Sequence, residues 1–133
     1  MVEQILNARM TVFAVLCTAS GDYSPLFDCE TRRPTASLRA FAFFSVLYAD
    51  GIRVATRSDE RRGIWLTAAK DGKGRGHALI VNCTSEEHLL DLRVTGSRVV
   101  SCRTINADEE IQFIPRPKAL PPFCVLLLEF STE

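Results

Sequence analysis

The second half of the chain is a series of short segments that each have the residue pattern of a β-strand. Residues 88–94 alternate, with Leu90, Leu92 and Val94 on one side, whereas residues 78–81 and 124–130 are almost wholly apolar. Because successive side chains of a strand point to opposite faces, alternation indicates one solvent-exposed face, and an unbroken apolar run indicates a strand covered on both. Turn residues separate these segments at intervals of roughly 8–12 residues, which indicates a β-sandwich or a β-barrel.

Two segments that precede this region have helical spacing. Residues 2–17 place their apolar side chains at intervals of three and four, although residues 11–17 could equally form a strand. Residues 37–49 are apolar around nearly the whole circumference, so we expect this helix to be covered on more than one side. Thr35 or Ser37 could cap it by accepting a hydrogen bond from a free backbone N–H, and Gly51 could end it.

Two further strands are predicted at residues 51–56 and 63–69, which alternate or are rich in apolar residues. The resulting fold class is mainly β, an antiparallel β-sandwich of about six to eight strands with one or two N-terminal helices. At 133 residues the chain has the size of one domain. We therefore expect residues 1–133 to be a single domain, with 1–50 as a helical lead-in and 51–133 as the sandwich.

Charge and cysteine content exclude several classes of function. The 16 basic residues balance the 16 acidic ones, whereas nucleic-acid-binding proteins usually have a basic excess. The five cysteines are Cys17, Cys29, Cys83, Cys102 and Cys124, and they have neither CxxC nor zinc-finger spacing. We therefore predict reduced, mostly buried thiols and a cytoplasmic location, with no metal and no cofactor. No apolar run approaches the ~20 residues of a membrane span, and in such a chain the Asn82-Cys83-Thr84 sequon has no role.

The glycine-rich stretch of residues 72–76 has two interpretations. Its glycines and its Lys73 and Arg75 could surround a phosphate with backbone amides and positive charge. However, it lacks the Gly-Lys-Ser/Thr ending and the following helix of a phosphate-binding loop. The Asp71-Gly72 step between two β-segments instead favours the tip of a hairpin.

Candidate catalytic side chains are few. His77 and His88 are the two side chains that titrate near neutrality without perturbation, and Cys83 with His88 could form a nucleophile pair if the fold brought them together. Carboxylates cluster at residues 59–60, 86–87 and 108–110, in polar turns where they are typically solvated. No catalytic residue is assigned.

Aromatic residues could stack on a sugar ring, and they are Tyr23, Tyr48, Trp65 and Phe123. Trp65 lies within an apolar strand, where packing in the core is the usual role of a large aromatic side chain. It nevertheless stays the one candidate carbohydrate-binding residue, because stacking on the apolar face of a pyranose requires such a ring.

The order of the segments resembles the end of a glycoside hydrolase. Residues 23–28 (YSPLFD), 33–35 (RPT) and 44–48 (FSVLY) are similar to the run that leads out of the last barrel helix into an accessory β-sandwich. Residues 120–130 (LPPFCVLLLEF) look like the last strand of that sandwich in clan A enzymes such as β-xylosidases and α-L-arabinofuranosidases. Residues 68–72, 79–82 and 90–92 are similar as well, so that the resemblance spans about residues 23–130.

The resemblance implies a sandwich without its enzyme. Those enzymes carry catalytic glutamates on barrel strands, one typically in an Asn-Glu pair, and this chain has neither a barrel nor that dipeptide. We therefore expect a non-catalytic domain with a structural or associative role, which binds a second copy of itself through its N-terminal helices or a missing catalytic domain. The alternatives are a carbohydrate-binding module that takes a polysaccharide and, third, part of a glycosidase or a hydrolase that uses Cys83 or His88. No nucleic-acid or membrane partner is expected.

Overall fold

The computed structural model describes residues 25–92, 95–105, 111–114 and 117–132, so the predicted helix at residues 2–17 lies outside the described part. The described residues contain one α-helix, α1 (Ala36–Asp50), a 3-10 helix (Glu60–Arg62) and eight β-strands. The strands are β1 (Ile52–Val54), β2 (Ile64–Lys70), β3 (Arg75–Asn82), β4 (His88–Leu89), β5 (Arg98–Ile105), β6 (Ile111–Phe113), β7 (Ala119–Leu120) and β8 (Val125–Ser131). The prediction of a mainly β, antiparallel fold with a helix before the strands is confirmed.

The strands form one large sheet and one small one. Six strands pair antiparallel in the order β1-β2-β3-β8-β5-β6, and β4 pairs with β7 in a two-stranded sheet. β8 is the last strand in the sequence but lies in the middle of the large sheet, between β3 and β5. Both faces of the sheet are covered at this strand, since Leu126 and Leu128 are buried on one side and Leu127 on the other, which explains why its sequence is almost wholly apolar.

The strand predicted over residues 88–94 is wrong in length, since β4 contains only His88 and Leu89. β4 pairs with the two residues of β7, and beyond them the Leu90 N–H donates a last hydrogen bond to the Lys118 carbonyl (2.9 Å). A strand needs a backbone partner along its length, and this partner is too short. Leu90 and Leu92 still pack against the core, which is what their alternation reflects.

Each face of the large sheet has its own apolar core. The face toward the small sheet buries Ala68, Ala78, Ile80, Cys102, Leu120, Cys124, Leu126, Leu128 and Phe130. The opposite face packs against α1 and buries Phe43, Leu47, Ala69, Leu79, Ile105 and Leu127. The layers are therefore a helix, a six-stranded sheet and a two-stranded sheet.

The described residues cover α1 on one side only, which differs from the expected cover on several sides. Phe43 and Leu47 face the sheet and are buried, whereas Phe41 is 38% exposed and Tyr48 77% exposed on the outer side. The small residues Ala42, Ser45 and Ala49 are exposed as well. The outer face of α1, defined by these five residues, is thus an unusually apolar surface for a helix in contact with solvent.

The capping prediction for α1 is wrong in its chemistry. Thr35 is the N-cap residue, but its side chain accepts no hydrogen bond from the helix. Its hydroxyl instead donates to the carbonyl oxygens of Pro25 (2.7 Å) and Leu26 (3.1 Å). Thr35 therefore ties the helix to the loop before it, and Gly51 ends the helix in the left-handed conformation (φ 80°), as predicted.

Asp28 organises that loop. Its Oδ1 accepts hydrogen bonds from the Thr31 N–H (2.6 Å) and the Thr31 hydroxyl (2.7 Å), and these bonds hold the pKa of Asp28 below its usual value. The loop closes through a β-bridge between Phe27 and Pro34. The residues of the LFD and RPT runs are thus explained by a compact turn that precedes the helix.

The cysteine prediction needs one correction. Cys29 is disulfide-bonded, so it is not one of the reduced thiols that were expected. Cys102 and Cys124 are free and buried, and burial raises the pKa of both thiols; Cys83 is free and exposed. Within the described ranges, no helix is long and apolar enough to cross a membrane.

Candidate functional site

A groove of about 720 Å³ lies where two loops meet at one end of the large sheet. One wall is the 3-10 helix Glu60–Arg62 with Gly63, and the other consists of Thr84, Ser85, Glu86 and His88. We call it the loop groove. It brings together two of the carboxylate clusters that the sequence places 26 residues apart, through Glu60 and Glu86.

The two walls are held together by the backbone at the end of the β2–β3 pair. The Cys83 N–H donates to the Gly63 carbonyl (3.0 Å). Gly63 has a φ of 68°, and a Cβ there would lie 2.6 Å from the Thr84 methyl carbon. A side chain at position 63 would therefore separate the walls, which is a physical reason for glycine at this point.

The buried side chain of Asn82 fixes the second wall. It is 1% exposed, and its Nδ2 donates to the carbonyls of Glu86 (2.8 Å), Pro121 (2.8 Å) and Leu120 (3.4 Å). Its Oδ1 accepts hydrogen bonds from the Thr84 N–H (3.0 Å) and hydroxyl (2.7 Å). The amide of the Asn82 sequon is thus buried and engaged in hydrogen bonds, and its role is to connect three loop segments.

His88 is oriented by the same network and not by Cys83. Its Nε2 lies 3.0 Å from the Thr84 Oγ1. Because the Thr84 hydroxyl donates its proton to Asn82, it accepts from His88, so the Nε2 carries the hydrogen. No hydrogen bond joins the Cys83 thiol to either ring nitrogen of His88, so the structure gives no support to the hypothesis of a Cys83–His88 nucleophile pair.

Phe123 has an unusual backbone conformation and is joined to Thr84 through its backbone. Its N–H donates to the Thr84 carbonyl (3.0 Å), its φ is 47°, and its side chain is 61% exposed. A non-glycine residue in the left-handed region costs on the order of 1–2 kcal/mol. The aromatic ring of Phe123 is therefore exposed to solvent at some cost in backbone energy.

Trp65, the candidate carbohydrate-binding residue, lies elsewhere. It pairs with Val81, which packs against the core beneath α1, so Trp65 is on the helix side of the sheet. Its side chain is half-buried, and the next residue in the same row across the sheet is Val125. The neighbours in this row are therefore apolar, whereas Tyr48 is exposed on the outer side of α1.

The glycine-rich stretch forms the β2–β3 hairpin turn, as the Asp71-Gly72 step predicted. The N–H groups of Lys73 (2.8 Å) and Arg75 (2.9 Å) both donate to the Asp71 carboxylate. These amides point inward at an anion that the chain itself supplies. The hairpin interpretation is therefore favoured over a phosphate site.

A second polar cluster lies at the C-terminal end of α1, and sequence reasoning missed it. The Nδ1 of His77 donates to the Asp50 Oδ2 (2.9 Å), and the neighbouring Glu129 accepts from the Ser101 hydroxyl (3.0 Å) and the Arg75 guanidinium (3.2 Å). Burial alone would raise the pKa of Glu129, but these bonds and the positive charges of His77 and Arg75 lower it on balance. The sequence signal that could have indicated this cluster is the presence of polar residues, such as His77 and Glu129, within otherwise apolar strands.

This second cluster holds the helix on the sheet. Asp50 is the last residue of α1, where a negative charge opposes the helix dipole, and the contact with His77 compensates for that. Ser101 contacts Glu129 and not the histidine, so the arrangement is not that of a nucleophile and its base. Among the described residues, no group of three or more His, Cys, Asp or Glu could hold a metal ion.

Comparison with known proteins gives a match in structure alone. No protein-family profile and no curated protein sequence matches the chain. The fold is similar to that of a glycoside hydrolase family 30 subfamily 8 xylanase from Clostridium acetobutylicum, with a TM-score of 0.66 and 16% sequence identity. The alignment covers 85% of this chain and 32% of the xylanase chain, so the chain spans about a third of the length of that protein. At this identity the similarity shows a fold that is shared with part of a glycoside hydrolase.

Proposed function

We propose that this chain is a non-catalytic domain related to the accessory β-sandwich of glycoside hydrolases, and that its role is structural and associative. The observation that carries the proposal is the outer face of α1, where Phe41 and Tyr48 are exposed on a helix whose other side packs on the sheet. The match to part of a xylanase supports the relation to glycoside hydrolases, because the fold is shared over 85% of this chain.

The partner that we propose for the outer face of α1 is a second copy of the chain. The small residues Ala42, Ser45 and Ala49 are exposed on the same helix as the two aromatic side chains and would allow two helices to approach closely. A twofold dimer places the same patch on both subunits, so both apolar helix faces are buried at once. A catalytic domain would be the other occupant of this face.

The non-catalytic role is supported by the surroundings of the carboxylates. A glycosidase needs one carboxylic acid in apolar surroundings that keep it protonated, and a second carboxylate opposite. Glu60 and Glu86 share the loop groove, but both are exposed to solvent. The cytoplasmic location stays a prediction, and the disulfide-bonded Cys29 removes one of the reasons for it.

Light scattering coupled to size-exclusion chromatography tests the association. We expect a dimer at micromolar concentration, which Tyr48→Lys converts to a monomer by placing a charge in the buried interface. Leu89→Lys is the matched control, because Leu89 is almost fully exposed on β4, away from α1. A monomeric wild-type chain would refute the dimer, and release of reducing sugar from xylan by the purified chain would refute the non-catalytic role.

A further inference from the structure

We propose that Asn82 is a site at which N-glycosylation and folding exclude each other. The amide accepts an oligosaccharide only while the chain is unfolded, and a chain that carries the sugar cannot complete the wall of the loop groove. The Asn82-Cys83-Thr84 sequence meets the Asn-x-Ser/Thr requirement, since its middle residue is not proline. The proposal concerns a modification of the single chain and does not depend on the dimer.

The transfer requires an accessible carboxamide. The amide nitrogen of asparagine attacks the anomeric carbon of an oligosaccharide that is carried on a lipid diphosphate, which is the co-reactant. A C–N bond forms, the bond between the anomeric carbon and the diphosphate oxygen breaks, and the lipid diphosphate leaves as the nitrogen gives up one of its two protons. The product carries a bulky polar chain, which belongs on a protein surface.

In the folded chain both hydrogens of the Asn82 amide are used. The Nδ2 donates short hydrogen bonds to the carbonyls of Glu86 (2.8 Å) and Pro121 (2.8 Å), and the side chain is 1% exposed. A sugar on the Nδ2 would replace one of these hydrogens and would have to occupy the space of the loop segments that the amide joins. The transfer would therefore break a hydrogen bond and force those segments apart.

The fold buries Asn82 late, because its partners lie near the end of the chain. The carbonyls of Leu120 and Pro121 are 38 and 39 residues away in sequence. The backbone N–H of Asn82 donates to the Cys124 carbonyl (3.0 Å), and Cys124 leads directly into β8, the strand that pairs with β3. At a synthesis rate of about 5–20 residues per second, the amide lacks these partners for roughly 2–8 s. The acceptor is thus open to a transferase before it is buried.

The disulfide at Cys29 makes this modification relevant to the chain. Disulfides form and persist mainly in oxidising compartments, and Asn-x-Ser/Thr sequences act as acceptors in secreted chains. The expectation that the Asn82 sequon has no role depended on a reducing environment. The disulfide-bonded Cys29 removes that ground.

Enzymatic glycosylation of the purified chain tests the protection of Asn82 by folding. A single-subunit oligosaccharyltransferase with its lipid-linked donor is applied to the folded wild-type chain and to Leu127→Asp, which unfolds the protein by placing a charge at a core position that is 1% exposed. By mass spectrometry, we expect modification of Asn82 to be about a hundredfold slower or more in the wild-type chain, because it has to wait for the unfolded fraction. Glu60→Asn combined with Arg62→Thr is the control, since it creates an acceptor on the exposed 3-10 helix that the folded chain should present.

Secretion of the chain from yeast, behind a cleavable signal, tests whether the modified chain folds. The fraction that carries a glycan at Asn82 should be digested by protease about tenfold faster or more than the unmodified fraction. Thr84→Val is the matched control, because it removes the acceptor sequence and leaves the Nδ2 and its two short hydrogen bonds in place. It should be secreted unmodified and resistant to protease.

Four results would overturn the proposal. The first is modification of Asn82 in the folded wild-type chain at the rate of Leu127→Asp. The second is no modification of Asn82 in Leu127→Asp by a transferase that modifies the control acceptor. The third is secreted chain that carries the glycan at Asn82 and resists protease as well as the unmodified chain. The fourth is secreted wild-type chain without any glycan at Asn82, which would show that the amide is buried before the transferase reaches it.

Discussion

Replacing Asn82 with aspartate tests whether one buried amide holds the groove wall. The substitution keeps the size of the side chain and the Oδ1 that accepts from Thr84, and it removes only the NH₂ group. That group donates two short hydrogen bonds, to the carbonyls of Glu86 (2.8 Å) and Pro121 (2.8 Å). The side chain is 1% exposed, so water cannot replace the missing donors.

The magnitude follows from those two bonds. A buried polar group that loses its partner costs about 1–3 kcal/mol, so we expect the free energy of unfolding to fall by about 2–4 kcal/mol in Asn82→Asp at neutral pH. Burial raises the pKa of the introduced carboxyl. Its folded-state pKa then exceeds the unfolded value of about 3.9. The folded state binds the proton more tightly, so the destabilisation is smallest below that value and grows as the pH rises through the folded-state pKa.

Urea unfolding near pH 4 and pH 7 measures this effect, with the fluorescence of Trp65, the sole tryptophan, and far-UV circular dichroism as probes. Glu86→Gln is the control, since it changes an exposed side chain and leaves the backbone carbonyl in the network; we expect a change within about 0.5 kcal/mol. A loss below about 1 kcal/mol for Asn82→Asp at neutral pH would refute the argument that this amide holds the wall.

Two further predictions concern the large sheet. Gly76→Ala should destabilise the fold by about 3 kcal/mol or more, because a Cβ there would lie 2.3 Å from the Ala69 carbonyl oxygen and 2.7 Å from the Phe130 ring. Gly72→Ala is the control, since a Cβ at that position meets open space and should leave the thermal midpoint nearly unchanged. Equal thermal midpoints for the two variants would contradict the steric reason. Glu129 has a lowered pKa in the folded state, so its carboxylate stabilises the fold above the unfolded-state pKa of 4.5, and this contribution is lost as the pH falls through the folded-state pKa. Glu129→Gln should therefore be less stable than the wild-type chain at neutral pH and should lose less stability on acidification. Parallel plots of stability against pH for the two chains would contradict this.

Local chemistry made part of the fold predictable. The hairpin between β2 and β3 follows from Asp71-Gly72, because the turn's hydrogen bonds join residues within four positions of each other. The end of α1 at Gly51 follows from the left-handed conformation that glycine adopts easily. The prediction of the helix cap was wrong because the hydrogen bonds of Thr35 are not local. Its hydroxyl donates to carbonyls ten and nine residues away, which no local pattern reveals.

The sequence by itself determined the mainly β class, most of the strand segments and the turn between β2 and β3, because period-two apolar patterns and turn residues act over a few positions. The tertiary structure alone decided that β8 enters the sheet between β3 and β5, and that Trp65 faces the helix. It also decided that Glu60 and Glu86 line one groove, one wall of which is held by the buried Asn82. These arrangements depend on contacts between residues far apart in the chain. Which of those contacts form depends on the packing of both sheet faces at once.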